Sequence, residues 1–238
     1  AVVNVVGSTI ARESDAVVYT WAGPEIAVAS TKAYVVQSAL MALLAFAMAL
    51  EKGTMQEEGA KALIDKLLHT LPADIKRILE MRDEIYDSVE FFADKKDLFC
   101  VGRGIDYYAA IEASLKIKEV SYIHSEAYAA GEMKHGTISL IEKGTPVIVV
   151  STDKNVRQKI VGNIRELASR GAYIISLTTP NEEISAVSDK VLNLPCESEE
   201  FLPIAVASLL QLIAYRTAIL KGCDVDCPRN LAKSVTVE

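Results

Sequence analysis

From about residue 97 onward the sequence consists of short, continuously apolar, β-branched runs separated by helix-length segments, and few folds accept that pattern. DLFCVGRG reads as a buried strand running into a glycine turn, PVIVVST as a second strand, AYIISLTT as a third and KVLNLP as a fourth. Between them, YYAAIEASLKIKEV and NVRQKIVGNIRELASRG have helical spacing, the latter ending on Gly171, and LPIAVASLLQLIAYRTAILKG closes the region as a long helix. Strands that are apolar on both faces must be covered on both faces, so helices lie on either side of the sheet. The pattern predicts an α/β fold: a doubly wound, mainly parallel sheet sandwich of the flavodoxin-like kind. Ligands of such sheets sit outside the carboxyl ends of the strands. That rule puts Gly102-Arg103-Gly104 and the turns after Ser151 and Thr178 at the expected active edge.

The sequence upstream reads differently. AVVNVVGSTIARESDAVVYT gives two short apolar strands around a polar turn, part of a sheet whose other members are absent, so more sequence is expected on the N-terminal side. Residues 31–95 show no clear strand and form a helical connecting segment. Within it Ala39–Leu50 is unbroken apolar; it falls short of the roughly 20 residues a membrane span needs and is alanine-rich, which predicts a buried helix. In GAKALIDKLLHTL, Ala62, Leu63, Leu67 and Leu71 recur at helical spacing, and Pro72 opens the next helix. The expected organisation is a strand-rich piece over 1–30, a helical segment over 31–95, the α/β domain over 96–222 and a C-terminal tail over 223–238.

The net charge of -7 argues against nucleic acid as a partner, since phosphate binding needs basic surface. Cys100, Cys196, Cys223 and Cys227 lack CxxC spacing, so no metal site is expected, and reduced cytoplasmic thiols are the natural reading. The Gly102-Arg103-Gly104 loop has Tyr107 where a dinucleotide fingerprint needs its third glycine, which excludes a nicotinamide cofactor.

The ionisable residues offer a chemistry. Glu112, Lys116 and Glu119 share one helix face, with Tyr107, Ile111 and Leu115 as an apolar stripe elsewhere; taken alone the charges read as a solvated ion-pair row. The next segment, SYIHSEAYAAGEMKHG, has too few large aliphatics for a core element and too little net charge for a disordered loop. His135, between Lys134 and Gly136, is the candidate acid/base imidazole, whereas His124 reads as a packing residue and His69 as a surface residue. Lys233 lies near the end of PRNLAKSVTVE, where Ser234–Val237 alternate polar and apolar like a segment that packs. A carboxylate, a histidine and two lysines are the groups sugar isomerisation needs: a base moves a proton between adjacent carbons, an imidazole opens the ring, and an amine holds the carbonyl as an iminium. This chemistry requires no metal or other cofactor.

AGPEIAVASTKAY, VGRG followed by EASLKIKEVSYIHSEAYAAGEMKHG, and DVDCPRNLAKSVTVE together resemble the C-terminal part of the isomerizing glutamine–fructose-6-phosphate aminotransferase (glucosamine-6-phosphate synthase) family. The resemblance implies a second sugar isomerase (SIS) domain over 96–222, preceded at 1–30 by the remnant of an upstream SIS repeat. It implies that Glu119 is the base between C1 and C2, that His135 opens the ring from the neighbouring subunit of a homodimer, and that Lys233 forms a Schiff base with fructose 6-phosphate. Lys116 would assist proton movements, Val28, Ser30 and Ala232 would contact the sugar, and Arg229 would belong to a C-terminal lid. It further implies a missing N-terminal glutaminase domain, a cytoplasmic location without membrane or nucleic-acid partners, and weak or no isomerase activity for the fragment alone. The alternatives are a related double-SIS isomerase or deglycase, and a phosphosugar-sensing module that would need neither base nor Schiff-base lysine.

Overall fold

The computed structural model describes residues 1–233. Five strands, β3 (Asp97–Gly102), β4 (His124–Ala129), β5 (Pro146–Ser151), β6 (Tyr173–Thr178) and β7 (Lys190–Asn193), form one sheet in the order β4-β3-β5-β6-β7. Every neighbouring pair is parallel. The chain starts at an interior strand, turns once to the edge and then returns across, which is the flavodoxin-like strand order. Strand alternation divides the core in two. Cys100, Ile148, Val150, Ile175 and Leu177 face α6 (Asp106–Ser121) and α9 (Leu202–Leu220), whereas Phe99, Val101, Val147, Val149 and Ile174 face α7 (Arg157–Ala168) and α8 (Glu182–Ser185). The sandwich expected from the apolar runs is thus the observed one.

The turn from β3 into α6 depends on close backbone approach. A Cβ on Gly102 would sit 2.3 Å from the Asp106 carbonyl oxygen, so only glycine fits there. Asp106, in the first turn of α6, is buried and accepts hydrogen bonds from the Thr152 and Asp153 amides at 2.7 and 3.1 Å and from the Thr152 hydroxyl. It thereby fastens the loop after β5 to the start of α6.

Four expectations are corrected. The chain forms β4 within SYIHSEAYAAG; as an edge strand of small and polar residues it carries no apolar run to reveal it. His124 opens that strand with its side chain 64% exposed and 2.9 Å from Asp97, so it is a surface residue and not a packing one. At the N-terminus, β1 (Val2–Val3) and β2 (Val18–Tyr19) pair in parallel across α1 (Thr9–Glu13), where a polar turn was expected. A parallel pair needs a crossover, and the helix, capped by Ser8, provides it. Finally, α2 (Lys32–Glu51) is 20 residues long and contains no buried residue. Length therefore does not separate it from a membrane span, and it is not the buried helix its composition suggests; one side, with Ala39, Ala42, Leu43 and Phe46, packs on the core beside α9.

Candidate active site

The sharpest departure from the sequence reading concerns the charged face of α6. Lys116 lies 2.5 Å from Glu119 and 3.8 Å from Glu112, and the side chains of Lys116, Glu112 and Glu119 are only 5%, 10% and 23% exposed. The solvated ion-pair row is instead a nearly buried triad, while Ile111 and Leu115 of the apolar stripe are each 41% exposed. The helix thus buries charge beside an ordinary apolar face, Ala109, Ala110, Ala113, Ile117 and Val120, that packs in the core. Desolvation penalises the charged forms and only pairing offsets it. Burial pushes the Glu112 carboxyl up to about 7; the Lys116 ammonium opposes the rise and the Glu119 carboxylate adds to it. A buried lysine flanked by two carboxylates, one of them titrating near neutrality, is an arrangement able to store and move protons.

Lys116 borders a cavity of about 210 Å³ that is also lined by the segment Ala27, Ala29 and Thr31 and by Val225 and Asp226. That segment is held in place from both directions. The Val28 amide donates to the Asp226 carbonyl at 2.9 Å, and Gln211 of α9 donates to the Thr31 carbonyl at 3.2 Å. Its own anchor is Glu25, which accepts hydrogen bonds at 3.1 Å from the Ser30 hydroxyl and from the Thr31 and Ala33 amides. Lys233 completes the set, its Nζ 2.9 Å from Glu25 Oε2. Partial burial alone would raise the Glu25 carboxyl, but the hydrogen bonds from Lys233, Ala33, Thr31 and Ser30 bring it down to about 2.

The tail is fixed again at its root. The Arg229 amide donates to the Tyr122 hydroxyl at 2.6 Å, and the Arg229 guanidinium stacks 4.1 Å above the Tyr122 ring. Tyr122 ends α6 with φ 59°, a left-handed conformation unusual for a bulky residue. The helix that bears Lys116 and Glu119 is therefore joined directly to the segment that leads to Lys233.

Of the residues singled out from sequence, Lys116 and Glu119 meet, Val28 and Ser30 lie on the cavity-lining segment, and Lys233 reaches that segment. Arg229 is drawn to Tyr122. Ala232 is exposed beside Lys233, and the alternating Ser234–Val237 segment lies outside the described residues. His135 does not join them. It is exposed in a short turn just beyond the carboxyl end of β4, and among the described residues no hydrogen bond or ion pair links it to Lys116, Glu119 or Lys233. The topology explains the separation. α6 leaves the carboxyl end of β3 and runs back to the start of β4, where His124 stands opposite Asp97, so Glu119 in its last turn lies toward the amino ends of the strands. His135 occupies the carboxyl edge. The expected active edge at Gly102-Arg103-Gly104 therefore holds His135, and Asp106 secures loops there, whereas Glu112, Lys116 and Glu119 cluster farther along α6. Glu25 was missed by sequence reasoning, and its only signal was a lone acid between Pro24 and a run of small residues.

Comparison with known proteins gives this geometry a family. The sequence profile of the SIS domain matches residues 91–221, more than half of the chain. The whole chain is 48% identical to the glutamine–fructose-6-phosphate aminotransferase [isomerizing] of Caldanaerobacter subterraneus subsp. tengcongensis and 49% identical to that of Clostridium tetani, spanning 39% of the length of each. Among solved structures, the C-terminal domain of glucosamine-fructose-6-phosphate aminotransferase from Francisella tularensis superposes with a TM-score of 0.89 at 36% identity, over 94% of this chain and 64% of that one. With the strand order, the family profile and these relatives in agreement, the chain belongs to the SIS domain family and corresponds to part of the isomerizing glutamine–fructose-6-phosphate aminotransferases.

Proposed function

We propose that this chain carries the isomerase chemistry of an enzyme that makes glucosamine 6-phosphate from fructose 6-phosphate and glutamine. The observation that carries the reading is that Lys116, buried and paired with Glu119, lines one small cavity together with the segment whose Glu25 holds Lys233. The Lys233 amine attacks the C2 carbonyl of the open-chain ketose and water leaves, giving an iminium. Ammonia derived from glutamine displaces the lysine by imine exchange, which restores the free amine. The iminium acidifies the hydrogen on C1; Glu119 removes that proton and returns it to C2, so the ketose framework becomes a 2-amino aldose. Lys116, 2.5 Å from Glu119, orients the carboxylate and donates to the sugar hydroxyls as protons move. Val28, Ser30 and Ala232 contact the sugar, and Arg229 secures the tail.

Ring opening belongs to His135 of a second copy in a homodimer, a reading supported by the placement, within one chain, of His135 beyond the carboxyl end of β4 and of Glu119 in the last turn of α6, toward the amino ends of the strands. A glutaminase domain and a first SIS repeat supply ammonia and the phosphate anchor, and the enzyme works in the cytoplasm. The test is Glu119→Gln in the full-length protein. Conversion of fructose 6-phosphate to glucose 6-phosphate should fall by about 10²–10⁴-fold with sugar binding retained. Conversion at the unsubstituted rate would refute the assignment of the base.

A further inference from the structure

The tail lysine has a partner that the proposed chemistry does not use. Glu25 sits at the head of the segment that carries Val28 and Ser30, and its carboxylate is organised independently of the tail. Three donors, the Ser30 hydroxyl and the Thr31 and Ala33 amides, hold it at 3.1 Å each. Its side chain is only 12% exposed. Ser30 shares Oε2 with Lys233, whereas both amides use Oε1, so one oxygen is committed to the backbone and the other faces the amine. A carboxylate oriented by backbone amides is a rigid acceptor, and a charge-assisted bond to it is stronger than one to a mobile surface acid. The same contact that seats Lys233 also keeps its amine engaged. An amine attacks a carbonyl only through a free lone pair, so the pair must open before an iminium can form.

We propose that Glu25 is a positioning residue: it seats Lys233 against the sugar-binding segment while the site is empty and gives the amine up when the ketose occupies the site. The inference rests on the reading of Lys233 as the Schiff-base lysine and adds to it a waiting position for the tail. It also couples two elements, since a sugar that draws on Ser30 competes for a donor to the very oxygen that holds Lys233. Removing the charge by Glu25→Gln preserves an acceptor for the Thr31 and Ala33 amides but leaves the lysine without its counter-ion.

The experiment is zero-length cross-linking of the full-length protein with a water-soluble carbodiimide, followed by peptide mass mapping. The reagent activates a carboxylate, the contacting amine forms an amide with it, and the carbodiimide leaves as a urea. The expected product without sugar is an amide between Glu25 and Lys233, and saturating fructose 6-phosphate should suppress it. In parallel, borohydride trapping of the sugar on Lys233 should quicken about tenfold in Glu25→Gln, the gain expected when one charge-assisted bond no longer has to break first, while binding of hexitol 6-phosphate, which has no carbonyl, stays unchanged. Absence of the cross-link, or a cross-link indifferent to saturating sugar, would overturn the proposal, as would trapping that is no faster in Glu25→Gln. Failure of the Schiff-base reading looks different: no borohydride adduct on Lys233 in the unsubstituted protein, with the sugar-free cross-link intact.

Discussion

Glu112 illustrates how burial changes the meaning of a residue. Its carboxyl is raised to about 7, first by burial, against the pull of Lys116 and with the push of Glu119. An acid whose pKa is higher folded than unfolded makes folding most favourable below its unfolded value and progressively less so as the pH rises toward the folded one. Between about pH 4.5 and 7 the folded state retains a proton that the unfolded state has lost, so this group makes stability fall across that window and level off above it. Glu112→Gln removes the effect. Urea unfolding at pH 5 and pH 8 should show the variant gaining on the unsubstituted protein by about 2 kcal/mol at the higher pH, and parallel pH dependences would contradict the assignment. Lys116 allows a complementary test. Lys116→Met leaves two nearly buried carboxylates without their cation and should cost about 3–5 kcal/mol. The double variant Glu112→Gln, Lys116→Met should recover more than 1 kcal/mol of that loss, because the two side chains act as one unit. Additive losses would mean that they do not. The spacing of Glu112, Lys116 and Glu119 was legible in the sequence, but their burial was not: charges on one helix face look the same whether water or protein covers them.

Among the elements, α6 bears the most. Its start is fixed by Gly102 and Asp106, its middle by the triad and its end by Tyr122. Gly102→Ala forces a Cβ to 2.3 Å from a backbone carbonyl, which no side-chain rotation relieves; a loss of about 3 kcal/mol or outright misfolding is expected in thermal unfolding. Tyr122→Phe deletes only the hydroxyl that accepts from the Arg229 amide and keeps the ring beneath the guanidinium. Trypsin should cut after Arg229 several-fold faster in that variant, at little cost in global stability, since tail opening is a local event. An unchanged cutting rate would show that the hydroxyl does not hold the tail. The strands β3, β5 and β6 were readable because a parallel interior strand must be apolar on both faces. The edge strand β4 was not, since HSEAYA satisfies its backbone in the sheet without offering the core a run of large aliphatics.

At the scale of the whole molecule, apolar surface and candidate chemistry lie on neighbouring faces. Ile105, Tyr108, Ile111 and Leu115 of α6 are exposed, and α2 buries none of its 20 residues. Contiguous apolar surface of this kind favours association. Sedimentation velocity should show concentration-dependent self-association of this chain that Ile111→Lys with Leu115→Glu reduces, and a single monomeric species at all concentrations would contradict it. The α/β architecture was legible from the alternation of runs; the placement of the charged triad was not. Sequence order places Lys116 and Glu119 soon after a glycine turn, yet a helix of 16 residues carries them away from that turn to the far end of the domain. The link between Lys233 and Glu25 spans 208 positions and leaves no local pattern at either end. The most direct test of the account is borohydride reduction of the full-length protein in the presence of fructose 6-phosphate, with the modified residue located by peptide mass mapping. The account predicts a stable adduct on Lys233; bound sugar with no adduct there would contradict it.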